Sequence, residues 1–322
     1  MNSESGDVSV LLPAYNGQHC IARAIQSVLS QTLSDFQLVI VDDGSQDDTW
    51  QIIQSFDDPR ILAVRHEENA GLVQALTTGL RLCNGRFIAR HDQDDISLPD
   101  RLSVQRDFLL EHPGVVLVGT WAMVVAGSAP PSLKAASKLH HPWRDPDIRL
   151  MMKWNNPFVH GSVMIRSSAL EAAGGYSNDI DLTPPEDYEL WTRLASQGEL
   201  RNIQRELLIY FQSAGGMSAT MAEEVGTKAD RIALREIREI LDRQNGKIDS
   251  AAVRILNGDP YPLASWGDYF RVDALVIRMA LRIRVAVGRT PVRQVIKAVR
   301  TSHTVQIRQF VNRWTCRIVR LR

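Results

Sequence analysis

The first 125 residues alternate short, almost unbroken apolar runs with longer stretches in which apolar residues recur at helical spacing. VSVLL (8–12), FQLVIV (36–41), RILAV (60–64), RFIAR (86–90) and VVLVG (115–119) have the character of strands buried on both faces. Between them, 19–31, 47–56, 70–83 and 99–111 read as helices. Asp47 or Asp48 is placed to cap the second, and Pro99 with Asp100 opens the fourth. Strands separated by helices of this length require right-handed crossovers, which predicts an α/β domain: a mostly parallel sheet with helices on both faces.

Further on, 126–140 (AGSAPPSLKAASKLH) predicts a loop from its Pro, Gly and Ser content. FVHGSVMIR then suggests a strand, PPEDYELWTRLAS a helix and ELLIYFQS a closing strand, while 221–245 has the pattern of a solvent-facing amphipathic helix. Two last helical stretches, 264–287 and 291–320, intersperse Arg with Val, Ile, Leu and Trp. The pattern divides the chain into an α/β region over 1–220 and a helical, basic region over 221–322.

Composition alters this picture at two points. The net charge of the 322 residues is zero, but residues 261–322 hold thirteen Arg plus Lys against two Asp, so the rest of the chain is acidic by the same margin of eleven. The basic helices could pack on that acidic domain or lie on an anionic membrane surface with Arg snorkelling to head groups; no nucleic-acid module accompanies them. Three cysteines far apart (Cys20, Cys83, Cys316), no signal-peptide pattern at the start and no long apolar span give a cytoplasmic expectation, with peripheral attachment to the inner face of the membrane through the basic tail.

Candidate chemistry lies just past the strands, where ligands collect in open parallel sheets. Strand one runs into Pro13-Ala14-Tyr15-Asn16, strand two into Asp42-Asp43-Gly44-Ser45, the third toward Asn69-Ala70-Gly71 and the fourth into Asp92-Gln93-Asp94-Asp95. Three carboxylates in four residues repel one another unless a cation or strong donors neutralise them. Mg²⁺ or Mn²⁺ takes one or two such oxygens and leaves its other positions to water and substrate phosphates, so a metal-bound diphosphate is the natural ligand.

This ordered set resembles the family 2 glycosyltransferases, inverting enzymes of GT-A fold that use nucleotide sugars, over about residues 8–218. The resemblance implies that Pro13 and Tyr15 line the nucleotide pocket, with Tyr15 against the base. It implies that Asp43 accepts a hydrogen bond from a uracil-like base edge beside a supporting Asp42, and that Asn69 and Gly71 close over the nucleotide. GRFIARHDQDDISLPDRL resembles the metal-binding signature, which places Asp92 and Asp94 on a divalent metal (Mn²⁺ or Mg²⁺) and Asp95 on a sugar hydroxyl or in a bracing role. EDYELWTRLA resembles the family's ED motif; this makes Asp187 the base that deprotonates the acceptor and Glu186 its acceptor-binding neighbour. Trp191, at i+4 from Asp187, is read as a buried helix residue or a sugar-stacking face. His160, within NPFVHGSVMIR, is a candidate contact for the donor sugar or diphosphate, against the alternative of a core histidine, and GGY at 174–176 resembles the turn before the ED region.

One departure stands out. Relatives carry a histidine after the ED helix that completes the metal shell; here Tyr210-Phe211-Gln212 leads to Ser213, a poor ligand. The implied function is transfer of a sugar from a UDP-sugar to a hydroxyl of a lipid-linked or cell-envelope glycan, with a mobile loop over the donor within 126–140. Two alternatives stay open: a nucleotidyltransferase, for which PAYNGQH lacks the usual Gly-rich basic loop, and a degenerate transferase serving as a scaffold.

Overall fold

A computed structural model describes residues 6–127, 137–153, 155–212 and 222–241. The apolar runs form β1 (Val8–Ala14), β2 (Gln37–Asp42), β3 (Ile61–Arg65) and β4 (Phe87–Arg90). They pair in parallel in the order β3-β2-β1-β4, with Leu11 beside both Val39 and Arg90. The crossovers contain α1 (Ile21–Leu29), α2 (Thr49–Gln54) and α3 (Leu72–Leu82), and α4 (Arg101–Glu111) follows β4.

Alternation along β1 assigns these helices to two faces. Val8, Val10 and Leu12 pack with Ile21 and Ile25 of α1, Ile53 of α2 and Leu102 of α4. Leu11 points the other way, toward α3. There Gly79 permits close contact, since a Cβ on it would come within 2.1 Å of the Leu11 side chain. The first four strands and the helices around them thus follow the pattern of the sequence.

The second half of the sheet is mixed. β8 (Met164–Arg166) runs antiparallel to β4, and β6 (Val115–Ala126) antiparallel to β8. β9 (Glu199–Gln212) is parallel to β6, and the short β5 (Ile96–Ser97) closes the path antiparallel to β9. A mostly parallel sheet therefore describes the strands around β1, and antiparallel strands extend it.

Two expectations change here. Part of the expected 126–140 loop is a strand, β7 (Ser137–Leu139), because β6 runs on to Ala126 and offers its edge: Ala122 pairs with Leu139 and Val124 with Ser137. Residues 128–136, the rest of that expected mobile loop, lie outside the described residues, as do Ser213 and the basic stretches 264–287 and 291–320. FVHGSVMIR is a strand only over β8; before it, His160–Ser162 form a 3₁₀ turn. The remaining elements are α5 (Asp145–Met151), α6 (Ser167–Ala172), α7 (Glu186–Leu194) and α8 (Ala222–Leu241).

The described residues fall into two compact units, one up to Asp145 plus Pro157–Val225, the other Pro146–Asn156 plus the residues from Gly226. In the second, Lys153 Nζ pairs with Glu236 at 2.7 Å. No helix among the described residues is long and apolar enough to cross a membrane.

Candidate active site

With β1 between β2 and β4, the strand order reverses at β1, and the crevice at the carboxyl ends of β1 and β4 is where an open α/β sheet binds ligands. Tyr15 leaves β1 there with its side chain partly exposed, and the acidic loop leaves β4 beside it. A side-chain amide joins the two loops. Gln93 Oε1 accepts from the Tyr15 N–H at 2.9 Å and Gln93 Nε2 donates to the Tyr15 carbonyl at 3.0 Å. The next turn is stitched to the loop after β2: the Asn16 N–H donates to Ser45 Oγ, the Gly17 N–H to Thr49 Oγ1 and the Gln46 N–H to Asn16 Oδ1. Asp47 accepts from the Thr49 and Gln18 N–H groups, while Asp48, at the cap position of α2, makes no side-chain cap bond. Pro13 is buried within β1, opposite Val41.

Because both hydrogen bonds of Gln93 are partly solvated, each is worth about 0.5–1.5 kcal/mol. Gln93→Ala is expected to raise the KM of a substrate bound beside Tyr15 roughly ten-fold at little cost in kcat, checked by steady-state kinetics. An unchanged KM would show that the Tyr15 loop keeps its shape without this clamp.

Asp42 and Asp43, at the end of β2, are both buried and do different work. The Asp42 carboxylate pairs with Arg65 Nε at 2.9 Å and accepts from the Ser45 hydroxyl, which fixes it beside Asp43. Asp43 organises the loop before α3. Its Oδ1 accepts from His66 Nδ1 at 2.7 Å and the Ala70 N–H at 3.0 Å, and its Oδ2 from the Gly71 N–H at 2.8 Å. Both acceptor positions of Oδ1 are thereby used, which leaves capacity for one further donor on Oδ2. Gly71 adopts φ +91° as it opens α3, and exposed Asn69 follows Glu68, whose backbone lies against Gly44.

The acids past β4 are built around a buried guanidinium. Arg90, the last residue of β4, donates to Asp92 Oδ1 at 2.7 Å and to the carbonyl of His91. Burial pushes the Asp92 carboxyl up, but Arg90, with His160 and His91, outweighs this and holds it below the usual range. Among the described residues Asp94 has no such partner. Burial, and then the charge of Asp92, drive its carboxyl up to about 6.

Asp95 is fully buried, and burial, then the charges of Asp92 and Asp94, push its carboxyl well above the usual range. Its Oδ1 accepts from the Phe211 N–H at 3.1 Å, and its Oδ2 has no hydrogen-bond partner. An ideal Cβ on Gly161 would lie 2.7 Å from both Asp92 Oδ2 and Asp95 Oδ2, so two carboxylate oxygens converge on a glycine of the 3₁₀ turn. Buried Arg101 and Gln105 of α4 fix that turn. Arg101 Nη2 donates to the carbonyls of Arg90 and Val163, and Gln105 Nε2 to that of Ser162.

Among the described residues no group of three or more His, Cys, Asp or Glu is poised to hold a metal by itself. What the loop offers is a hard, oxygen-only donor set: the Asp94 carboxyl, pushed up by burial and then by the charge of Asp92, and Oδ2 of Asp92. This fits Mg²⁺ or Mn²⁺, which takes one or two carboxylates and fills its shell from water and phosphate.

Glu186 and Asp187 begin α7 and are both buried. Asp187 Oδ1 accepts from the Tyr188 N–H at 2.7 Å, in the helix's first turn, where its dipole favours negative charge. Burial pushes the Glu186 carboxyl up, but the hydrogen bond and charge of His160, a backbone hydrogen bond and Arg90 together outweigh it and hold it down. His160 thus bears on both Asp92 and Glu186, and the two acidic motifs, separated by more than 90 residues, meet around one turn. Trp191 is fully buried, edge-on to His160 and Phe158, so it offers no stacking face to a sugar.

Sequence reading missed His66, Arg90, Gln93 and Arg101. The signal for Arg90 was present: a cation ending an otherwise apolar strand must be paired when buried. The roles of Gln93 and His66 depend on which loops become neighbours, which no local pattern reveals.

Comparison with known proteins matches residues 9–174 to the model of glycosyl transferase family 2. A putative glycosyltransferase, EpsE, of Bacillus subtilis is 31% identical over 194 residues, 59% of this chain and 67% of the relative. An Escherichia coli protein named UDP-Glc:alpha-D-GlcNAc-diphosphoundecaprenol beta-1,3-glucosyltransferase WfaP is 27% identical over 225 residues, 68% of this chain and 82% of WfaP. In fold, the chain is similar to Staphylococcus aureus TarS in complex with UDP-GlcNAc (TM-score 0.57, 16% identity, 86% of this chain and 81% of that one). It is also similar to the mannosyltransferase PcManGT of Pyrobaculum calidifontis in complex with GDP-Man and Mn²⁺ (TM-score 0.54, 20% identity, 92% and 79%). The nucleotidyltransferase reading falls away: the chain belongs to glycosyl transferase family 2, and it is a glycosyltransferase of GT-A fold.

Proposed function

We propose that this glycosyltransferase moves a sugar from a UDP-sugar, with inversion, to a hydroxyl of a lipid-linked or cell-envelope glycan. The observation that carries this reading is the convergence of the acids past β4 and the start of α7 on the His160–Ser162 turn, which supplies a diphosphate-side and an acceptor-side carboxylate in one site. The lipid-linked acceptor named for WfaP and the UDP-sugar bound by TarS support the choice of substrates.

In this mechanism the base stacks on the partly exposed Tyr15 and donates one N–H to the remaining acceptor position of Asp43 Oδ2. The loop of Asn69 and Gly71 closes over the nucleotide. Asp92 and Asp94 would hold Mn²⁺ or Mg²⁺, which when bound would supply positive charge to offset that of a nucleoside diphosphate leaving group. Glu186 orients the acceptor. Asp187 takes the proton of the acceptor hydroxyl as its oxygen attacks the anomeric carbon, the bond from that carbon to the phosphate oxygen breaks, and UDP leaves from the opposite face. Asp95 braces the loop through Phe211.

Residues 1–220 form the catalytic domain in this reading, and the basic sequence within 221–322 has the charge to suit an anionic membrane surface. The test is release of nucleoside diphosphate from a panel of UDP-sugars and GDP-Man, with and without Mn²⁺, using a GlcNAc-diphospholipid acceptor. Acceptor-dependent release of UDP supports the proposal. Release of GDP alone would overturn the choice of donor, and no binding of any donor would favour the scaffold.

A further inference from the structure

We propose that His160 is a positioning residue for the transfer: held between the Tyr176 hydroxyl and the Glu186 carboxylate, it locks the acceptor-side acid to the turn that supports the donor-side acids. This rests on the assignment of Glu186 and Asp187 to the acceptor side. His160 Nε2 lies 2.7 Å from Tyr176 Oη and Nδ1 3.5 Å from Glu186 Oε1, and all three side chains are largely buried. An ionised carboxylate only accepts, so Nδ1 carries a proton in either charge state of the ring. The edge-on contact with Trp191 at 5.8 Å limits rotation of the imidazole.

Each partner is itself fixed. Gly174 and Gly175, at φ +81° and +69°, end α6 and send the chain back into Tyr176, which the sequence marks only as GGY. Gly161, the residue after His160, is the one against which Asp92 and Asp95 press. A neutral core histidine has one N–H and one bare nitrogen, which any pair of ordinary hydroxyl, amide or carbonyl groups could satisfy. His160 instead has a hydroxyl on one nitrogen and a charged acid of the candidate site on the other, one residue from the diphosphate-side carboxylates.

The mechanical consequence is that loss of the Nδ1 donor lets Glu186 swing while the donor pocket at β1 and β2 stays intact. In steady-state kinetics with the full chain, His160→Ala is expected to lower kcat on the order of 10²-fold, the effect of misplacing a reacting group by about 1 Å. The donor KM and the thermal shift produced by UDP with Mn²⁺ stay at wild-type values. His160→Asn, whose amide can replace the Nδ1 donor, retains more kcat than His160→Gln, whose amide reaches toward Tyr176; Tyr176→Phe falls between wild type and His160→Ala. A buried histidine that only fills space would be served equally by Asn and Gln.

The inference is overturned if His160→Ala keeps wild-type kcat, if its loss lies wholly in the donor KM, or if Asn and Gln are equivalent. Should the alanine variant not fold, the Asn and Gln pair decides. Asp187→Asn separates this from the underlying reading: an active Asp187→Asn removes the acceptor-side assignment itself, whereas an inactive one beside a normal His160→Ala removes only the role of His160.

Discussion

Asp187→Asn is expected to lower kcat by roughly 10²- to 10⁴-fold, the range that a positioned general base contributes, with the donor KM unchanged. The substitution is nearly isosteric, and the amide oxygen can still accept from the Tyr188 N–H, so the first turn of α7 survives. What disappears is a carboxylate able to take the acceptor's proton. Because that proton moves only in the reacting complex, the effect belongs in kcat rather than in donor binding. Comparable turnover in the variant would place the base elsewhere, with Glu186 the first residue to replace next.

Gly161→Ala is the second large effect, and it arises from space alone. The backbone at Gly161 is in a 3₁₀ turn that alanine can adopt, so no conformational penalty applies. The added methyl would sit 2.7 Å from two carboxylate oxygens, each already tethered, Asp92 by Arg90 and Asp95 by the Phe211 N–H. Both must move and weaken those bonds, which shifts the acids by a fraction of an ångström where geometry decides catalysis. We expect kcat/KM to fall about 10²-fold while the protein still folds, with the response of its melting temperature to UDP and Mn²⁺ lost. Gly114→Ala, where a Cβ meets nothing within 4 Å, is the matched control. Wild-type activity in Gly161→Ala would mean that the convergence of Asp92 and Asp95 has no part in the reaction.

Much of the fold is legible in the sequence because β1, β2 and β4 are buried on both faces, while β3, at the sheet edge, is half-buried but still mostly apolar. Continuous apolar runs mark β1, β2, β3 and β4 within two residues, and helical periodicity marks the crossovers between them. The strands beyond are less legible. β5 has two residues and β7 three, and both exist through partners far along the chain, β9 and β6, so local composition carries almost no information about them.

The acidic motifs are legible for a different reason: Asp, Glu and Gly at strand ends and helix starts answer to local chemistry that a nearby pattern records. Their cooperation is not. That Asp92 and Glu186 meet at His160 follows from the antiparallel insertion of β8 beside β4, and that Gln93 grips Tyr15 follows from β1 lying next to β4. Position in the sheet, rather than residue type, converts these side chains into a site.

In the proposed reading, the excess negative charge past β4 holds a cation together with the donor diphosphate. Asp94 tests it most directly, because its carboxyl sits at about 6 in the folded chain against 3.8 unperturbed. A carboxyl raised in this way contributes stability below its unperturbed value that is lost as pH rises through about 6, so near pH 7.5 the ionised group costs stability when no metal is bound. The measurement is the melting temperature of wild type and Asp94→Asn near pH 7.5, each alone, with UDP, and with UDP plus Mn²⁺. The variant alone is expected to melt at or above wild type, and the Mn²⁺-dependent increase expected with UDP in wild type to be absent from it. An increase of the same size in both proteins, or one that needs no metal, would contradict the claim.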